Sequence, residues 1–116
     1  MTDRFFDNWT TQLRKGVLEL AVLNALADEP LYGYDLVRAL GRVEGLGISE
    51  GTIYPLLSRL KREGLVETYL VDSSEGPARK YYRLTESGRT MLEAMNEHWT
   101  AVRGAVESMR KEIENR

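Results

Sequence analysis

One stretch, residues 48–64, constrains the fold of this chain more than any other because it predicts a helix with one apolar side. Its apolar residues recur at helical spacing and form a narrow stripe of Ile53, Leu56, Leu57 and Leu60. Ser49 is a suitable N-cap for this helix, and Gly64 is a suitable C-terminal stop. Because Pro55 would remove a hydrogen bond from a helix interior, regular helix is expected to begin only near Thr52.

The other side of this helix carries small, hydroxylated and basic groups. On a wheel of ~100° per residue, the positions on this side are Gly51, Thr52, Tyr54, Pro55, Ser58, Arg59, Lys61 and Arg62. A helix that packs through one side and presents such groups on the other suits the DNA major groove, which admits one α-helix. An ordinary amphipathic surface helix has the same pattern, so the neighbouring elements must decide between the two interpretations.

Two helices are predicted before this stretch. Residues 10–27 are apolar nearly all round, which indicates a central, buried helix with Thr10 or Thr11 as its cap. This helix is expected to end before Pro30, because the residue that precedes a proline resists the α conformation. A second helix is predicted within residues 31–43, beginning around residues 32–34, and the glycines that follow stop it and form a flexible connection.

A pair of strands is predicted directly after the third helix. Residues 65–72 and 78–84 have strand composition, and residues 73–77 form the turn between them. The return strand carries the cations Arg79, Lys80 and Arg83. Three helices followed by a hairpin predict a mainly α fold with a small β-hairpin, a winged helix-turn-helix domain over residues 10–84. The third helix would enter the major groove, and the hairpin, or wing, would contact phosphate or the adjacent minor groove.

The last predicted helix, over residues 85–116 with Thr85 as its cap, has the pattern of a dimerisation helix. Its apolar residues alternate in steps of three and four, as in a heptad seam. The seam consists of Leu92, Met95, Trp99, Val102, Val106, Met109 and Ile113. A helix that folds back on its own domain would have a wider apolar stripe. We therefore predict a two-fold homodimer that places two third helices ~34–36 Å apart on a pseudo-palindromic operator.

Residues 1–9 form an N-terminal extension rich in aromatic side chains, namely Phe5, Phe6 and Trp9. Phe6, Trp9 and Leu13 are spaced three and four apart, so a helix that begins near Asp3 or Asp7 would place them on one face. Two interpretations are open: these rings complete the local core, or they reach a second subunit.

Composition limits the class of protein. The 116 residues fit one domain, no apolar run approaches the ~20 residues of a membrane span, and there is no cysteine. No signal-peptide pattern is found at the N-terminus, so a cytoplasmic protein is expected. The net charge of −2 argues mildly against a nucleic-acid partner, although a local basic surface matters more than the sum over the chain.

No catalytic or cofactor site is predicted. His98 is the single histidine, and no nucleophile and base or glycine-rich phosphate loop is assembled around it or elsewhere. Glu93 and Glu97 share a helix face, but two carboxylates in this position are more typical of a solvent-exposed helix surface than of a metal site. We therefore predict a protein that is not an enzyme and that needs neither metal nor cofactor.

The motifs of this chain resemble those of the PadR family of bacterial transcriptional regulators, in its shorter form with a single C-terminal helix. The resemblance rests on residues 31–36, on residues 49–57, on Arg59 and Leu60 followed by residues 63–66, and on residues 75–85. It covers roughly residues 12 to 115 and implies a homodimeric winged-helix repressor in the bacterial cytoplasm. In many members an aromatic or drug-like ligand at the dimer interface releases the DNA.

Carried onto this chain, the resemblance implies the DNA-facing positions Tyr34, Ser49, Gly51, Thr52, Tyr54, Arg79 and Lys80. The helical wheel adds Arg59, Lys61 and Arg62. The candidate ligand-binding residues are the aromatic side chains Phe5, Phe6, Trp9 and Trp99, although Trp99 is equally well explained as a packed residue of the dimer seam. The aromatic N-terminal extension is a departure from the family pattern.

A different class of function is also open. A winged helix of negative net charge can bind a partner protein instead of DNA. Salt separates the two hypotheses, because the affinity for duplex DNA falls steeply with salt concentration.

Overall fold

The computed structural model describes residues 2–43 and 45–115. The structure does not describe Met1, Glu44 and Arg116. These residues belong to the predicted ranges 1–9, 10–84 and 85–116, respectively. The helices are α1 (Thr2–Ala25), α2 (Gly33–Gly41), α3 (Glu50–Arg62) and α4 (Glu86–Glu114). The strands are β1 (Leu31–Tyr32), β2 (Val66–Ser73) and β3 (Gly76–Leu84), which form an antiparallel sheet in the order β1-β3-β2. The predicted fold class, mainly α with a small hairpin and a long last helix, is confirmed.

The first helix begins close to Asp3, as the spacing of the aromatic residues allowed, and not at the predicted cap Thr10 or Thr11. It runs without interruption from Thr2, so the aromatic extension forms the first turns of α1 and not a separate segment. Asp3 lies in the first turn, where its carboxylate stabilises the helix dipole. The hydroxyls of Thr10 and Thr11 each donate to the carbonyl of Asp7 at 2.9 Å. These threonines therefore bond back onto the helix and do not cap its start.

The second helix starts within the predicted range of residues 32–34, because Leu31 and Tyr32 before it are extended. They pair with Tyr82 and Tyr81 of β3 and so satisfy backbone groups along the edge of β3 that β2 leaves open. A third strand of two residues has no periodicity that a sequence pattern can reveal. Helix α2 therefore begins only at Gly33.

Helix α3 begins at Glu50, two residues before the expected start. The carbonyl of Ser49 accepts from the amides of Thr52 and Ile53, both at 3.0 Å, so the first turn closes before Pro55 is reached. Ser49 occupies the N-cap position with an extended backbone, as predicted, but its side chain makes no capping hydrogen bond.

The core is built from the second half of α1, from α2, α3 and the inner side of the sheet, and it sets the orientation of α3. Three residues of the predicted stripe, Ile53, Leu57 and Leu60, are at most 2% exposed. They pack in one cluster with side chains such as Leu23 of α1 and Leu36 of α2. Burying each such side chain stabilises the folded state by ~1.5–3 kcal/mol, so the apolar side of α3 is fixed against the core. The opposite side of the helix therefore faces outward.

Helix α4 is attached to the domain at its first turns. The hydroxyl of Thr85 accepts from the amide of Gly88 at 2.9 Å and donates to the carbonyl of Gly64 at 2.6 Å. Farther along, Asn24 and Asn96 exchange two amide hydrogen bonds of 3.0 and 2.9 Å between α1 and α4. Beyond Asn96 every described residue of α4 is exposed, so this half of the helix leaves the domain.

Candidate nucleic-acid interface

The predicted DNA-facing positions at the start of α3 are exposed. Gly51, Thr52 and Ser49 all lie at the surface, and the hydroxyl oxygens of Ser49 and Thr52 are 3.3 Å apart. Gly51 has only the Ser49 hydroxyl near its missing Cβ, at 3.8 Å, so little else surrounds this position. This end of the helix therefore presents hydroxyls and bare backbone, which permits close approach to a flat surface.

Tyr54 lies where α3 meets the start of α2. A Cβ atom added to Gly33 would lie 3.2 Å from Cε1 of Tyr54 and 3.1 Å from Cε1 of Tyr82, so a larger residue would have to displace the two rings by a few tenths of an ångström. Burial raises the pKa of Tyr54, and the nearby Glu50 carboxylate raises it further. The phenol therefore stays protonated at neutral pH and can both donate and accept a hydrogen bond from its partly exposed position.

The three predicted cations of α3 are not equivalent. The guanidinium of Arg59 forms an ion pair with the carboxylate of Glu19 on α1. Arg59 therefore lies toward α1, and its charge is already compensated. Lys61 and Arg62 are exposed in the last turn and have no ion pair among residues 2–43 and 45–115. Their charges are available for a phosphate.

Tyrosine rings cover the outer face of the sheet. Tyr81 of β3 lies between Tyr32 and Tyr69, with ring centroids 6.0 and 5.7 Å away. The guanidinium of Arg83 lies over Tyr69 at 4.7 Å and also donates to Glu67 at 2.7 Å, so its charge is paired. Arg79 lies over the ring of Tyr32, at the other end of the row.

The two predicted wing cations are the ones without a carboxylate partner. Arg79 and Lys80 are exposed, and no acid within the described ranges lies at ion-pair distance from either. The wing nevertheless contains as many acids as bases: Glu67, Asp72 and Glu75 against Arg79, Lys80 and Arg83. It is a local contact surface and not a strongly basic patch.

Tyr34, in the first turn of α2, is nearly half exposed. Its ring lies 6.4 Å from that of Tyr32, and the guanidinium of Arg38 lies 5.8 Å from its centroid. A continuous series of contacts therefore joins the wing to α2, from Arg79 through Tyr32 and Tyr34 to Arg38. Tyr32 and Arg38 were not predicted as site residues, because only the short strand β1 brings Tyr32 beneath Arg79.

A cavity of about 530 Å³ lies between α1 and α4. Leu13, Val17 and Leu20 line it on α1, and Met95, Trp99 and Val102 line it on α4. Of the predicted ligand-binding residues only Trp99 lines this cavity. The other three, Phe5, Phe6 and Trp9, are 51–76% exposed on the first turns of α1, where the rings of Phe6 and Trp9 are 6.1 Å apart.

The predicted dimer seam changes from buried to exposed along α4. Leu92 is buried and Met95 partly buried against the core, so these two positions are used within the protomer. From Trp99 onward the seam is exposed, at 38–64%, through Val102, Val106, Met109 and Ile113. No helix among the described residues is long and apolar enough to cross a membrane, and these residues include no cluster of three metal-binding side chains.

Comparison with known proteins agrees with this geometry. The model of the transcriptional regulator PadR-like family matches residues 22–94. The chain is 35% identical over 104 residues to the transcriptional regulator Rv3488 of Mycobacterium tuberculosis, a match that covers 88% of this chain and 87% of that protein.

Two solved structures show the same fold. A PadR-like transcriptional regulator from Bacillus cereus is 42% identical, with a TM-score of 0.77 over 84% of this chain and 95% of that one. A PadR family regulator from Eggerthella lenta is 32% identical, with a TM-score of 0.78 over 93% and 94%. The prediction of a regulator and not an enzyme is confirmed, because these relatives are transcriptional regulators. The chain belongs to the PadR-like family of transcriptional regulators.

Proposed function

We propose that this chain is a homodimeric repressor in the bacterial cytoplasm that reads a pseudo-palindromic operator through α3 and the wing. The observation that carries the proposal is the orientation of α3. Its apolar stripe is buried, and the side with Ser49, Gly51 and Thr52 is free. Base edges in the major groove would be read from this side, while Arg79 and Lys80 of the wing would contact phosphates.

The dimer is supported by the apolar surface of α4. Val106, Met109 and Ile113 are 60–64% exposed on a half-helix that leaves the domain. A contiguous apolar surface of this kind is typical of an interaction site, and pairing with a second α4 would remove it from water. The exposed aromatic rings on the first turns of α1 offer a further apolar surface to the same partner.

The proposed effector is a planar aromatic or drug-like molecule. The cavity between α1 and α4 has almost entirely apolar walls, includes the indole of Trp99, and is within the usual size range of ligand pockets. It lies on the predicted dimer seam. A molecule bound there would change how two α4 helices pack, and through them the spacing of two α3 helices on DNA.

The decisive experiment is selection of bound fragments from a pool of random duplexes, followed by measurement of the affinity for the selected site over a series of salt concentrations. We expect an inverted repeat with half-sites about one helical turn apart and an affinity that falls steeply with salt. Failure to enrich any sequence, together with an affinity that does not depend on salt, would reject DNA binding. That result would favour the alternative, a winged helix that binds a partner protein.

A further inference from the structure

A second cavity, of about 390 Å³, lies between α1 and α3 and has a different chemistry from the first. It is lined by Arg14, Lys15 and Glu19 of α1 and by Thr52 and Arg59 of α3, with Gly47 of the connecting segment beside them. We call it the Arg14 groove. Of the α1 residues that line it, Arg14, Lys15 and Glu19 were not predicted as site residues.

The Arg14 groove carries an excess of positive charge. Its single acid, Glu19, is paired with Arg59. Arg14 and Lys15 are exposed, and neither makes an ion pair with any residue that the structure describes. Two uncompensated cations therefore share one concave surface, although the whole chain has a net charge of −2. The wing, by contrast, has equal numbers of acids and bases.

The Arg14 side chain is held against backbone. A Cβ atom on Gly47 would lie 3.1 Å from both Cζ and Nη2 of Arg14 and 3.3 Å from its Nε. Gly47 also has a φ of +60°, a conformation that favours glycine. The guanidinium is therefore packed on the segment that leads into α3, and part of the entropy cost of fixing a long side chain is already met in the free protein.

The Arg14 groove lies beside the residues that we propose to face DNA. Thr52 is on its wall, and the Thr52 hydroxyl is 3.3 Å from that of Ser49. A duplex whose major groove receives the first turns of α3 has a phosphate backbone at the groove edge. The two free cations are thus placed on the α1 side of the bases that α3 would read, away from the wing.

We propose that the Arg14 groove binds a backbone phosphate of the operator, as a third contact in addition to α3 and the wing. This inference rests on the proposed function. Guanidinium and ammonium groups in one concavity match the charge of a phosphodiester, and a guanidinium can donate two parallel hydrogen bonds to it. Phosphate contacts fix the register of a protein on a duplex without reading its sequence.

The test uses the full chain and fluorescence anisotropy with the selected operator over a series of potassium chloride concentrations. Arg14→Gln and Lys15→Gln should each lower the slope of log affinity against log salt by roughly one unit per half-site. Lys111→Gln, which removes one exposed cation from the far end of α4, is the matched control and should leave the slope unchanged. The order of preference among operator variants should be the same in all four proteins.

Two further variants separate placement from charge. Arg14→Lys keeps the positive charge but loses the planar guanidinium that packs on Gly47, so it should weaken binding at low salt while leaving the salt slope unchanged. Glu19→Gln removes the single acid of the groove and should strengthen binding. A slope for Arg14→Gln equal to that of the wild type would overturn the inference while leaving the proposed function intact.

Two other outcomes would also overturn the inference. If the wild-type protein binds no duplex, the proposed function fails and this inference fails with it. If inorganic phosphate binds the wild type but not Arg14→Gln, while the salt slopes for operator binding stay equal, the Arg14 groove is a site for free phosphate and the inference is overturned.

Discussion

The guanidinium carbon of Arg79 lies 5.0 Å from the centroid of the Tyr32 ring. Arg79 is on the wing and Tyr32 is on β1, directly before α2. A cation over an aromatic ring at an exposed site contributes ~0.5–1 kcal/mol, enough to restrict the orientation of a flexible side chain. The wing cation proposed to contact DNA is thus oriented by the residue that precedes α2.

Replacing Arg79 by glutamine should weaken operator binding through the loss of a phosphate contact. We expect the slope of log affinity against log salt to fall by roughly one unit per half-site, with sequence preference retained. Arg83→Gln is the control on the same strand, because Arg83 is already paired with Glu67 and should change the slope less. Equal slopes for wild type and Arg79→Gln would show that the wing does not contact phosphate.

Gly88→Ala should destabilise the junction between α4 and the wing. A Cβ atom at this position would lie 2.0 Å from the carbonyl oxygen of Leu65, which accepts from the amide of Thr85 at 3.1 Å and cannot easily move. We expect a loss of ~1–3 kcal/mol in the free energy of unfolding, measured by urea denaturation at fixed protein concentration.

The matched control for this variant lies on the same helix. Gly104 has nothing within 4 Å of its missing Cβ, so Gly104→Ala should stabilise the protein by ~0.5–1 kcal/mol through helix propensity. A Gly88→Ala protein as stable as the wild type would mean that the first turn of α4 shifts freely relative to β2.

Stability should fall at high pH because of two tyrosines. Burial raises the pKa of Tyr82, and burial with the Glu50 carboxylate raises that of Tyr54. The folded state therefore keeps protons that the unfolded state releases near pH 10, so the free energy of unfolding is undiminished below that pH and decreases as pH rises through the folded pKa values. Urea denaturation from pH 9 to 11 measures this decrease. The double variant Tyr54→Phe with Tyr82→Phe should lose less unfolding free energy over this pH range. If it loses as much as the wild type, these two phenols are not the cause of the decrease.

A charge on the exposed seam of α4 should break the proposed dimer. Val106→Lys places an ammonium group on each copy where two α4 helices would meet, and we expect the dimer dissociation constant to rise at least about tenfold, equivalent to ~1.4 kcal/mol. Ser108→Lys, off the seam on the same helix, should not change it. Sedimentation velocity over a dilution series gives both values, and a wild-type chain that is monomeric throughout would disprove the dimer.

An aromatic effector should quench the fluorescence of Trp99. In a Trp9→Phe protein, Trp99 is the remaining tryptophan, and acridine bound in the cavity between α1 and α4 should quench it to saturation. In a Trp99→Phe protein, Trp9 lies outside that cavity and should show no saturable quenching. If neither acridine nor other planar aromatics quench Trp99 to saturation, its indole serves only to pack the dimer seam.

Features set by local spacing were predictable from the sequence. The apolar stripe of α3 and the seam of α4 follow from periods of 3.6 and 3.5 residues, and the start of α4 follows from the capping side chain of Thr85. The family motifs, concentrated around α3 and the wing, identified the regulator class for the same reason.

The tertiary structure decided which of the chain's charged and aromatic groups are already engaged. Glu19 and Arg59 are 40 positions apart, yet their pairing compensates the charge of one of the predicted DNA-facing cations. The placement of Arg14 against Gly47, and of Arg79 over Tyr32, also depends on contacts between distant segments. A linear pattern records the spacing of neighbours along one helix or strand. Whether a charge is free or compensated depends on distances across the fold, which only packing of the core establishes.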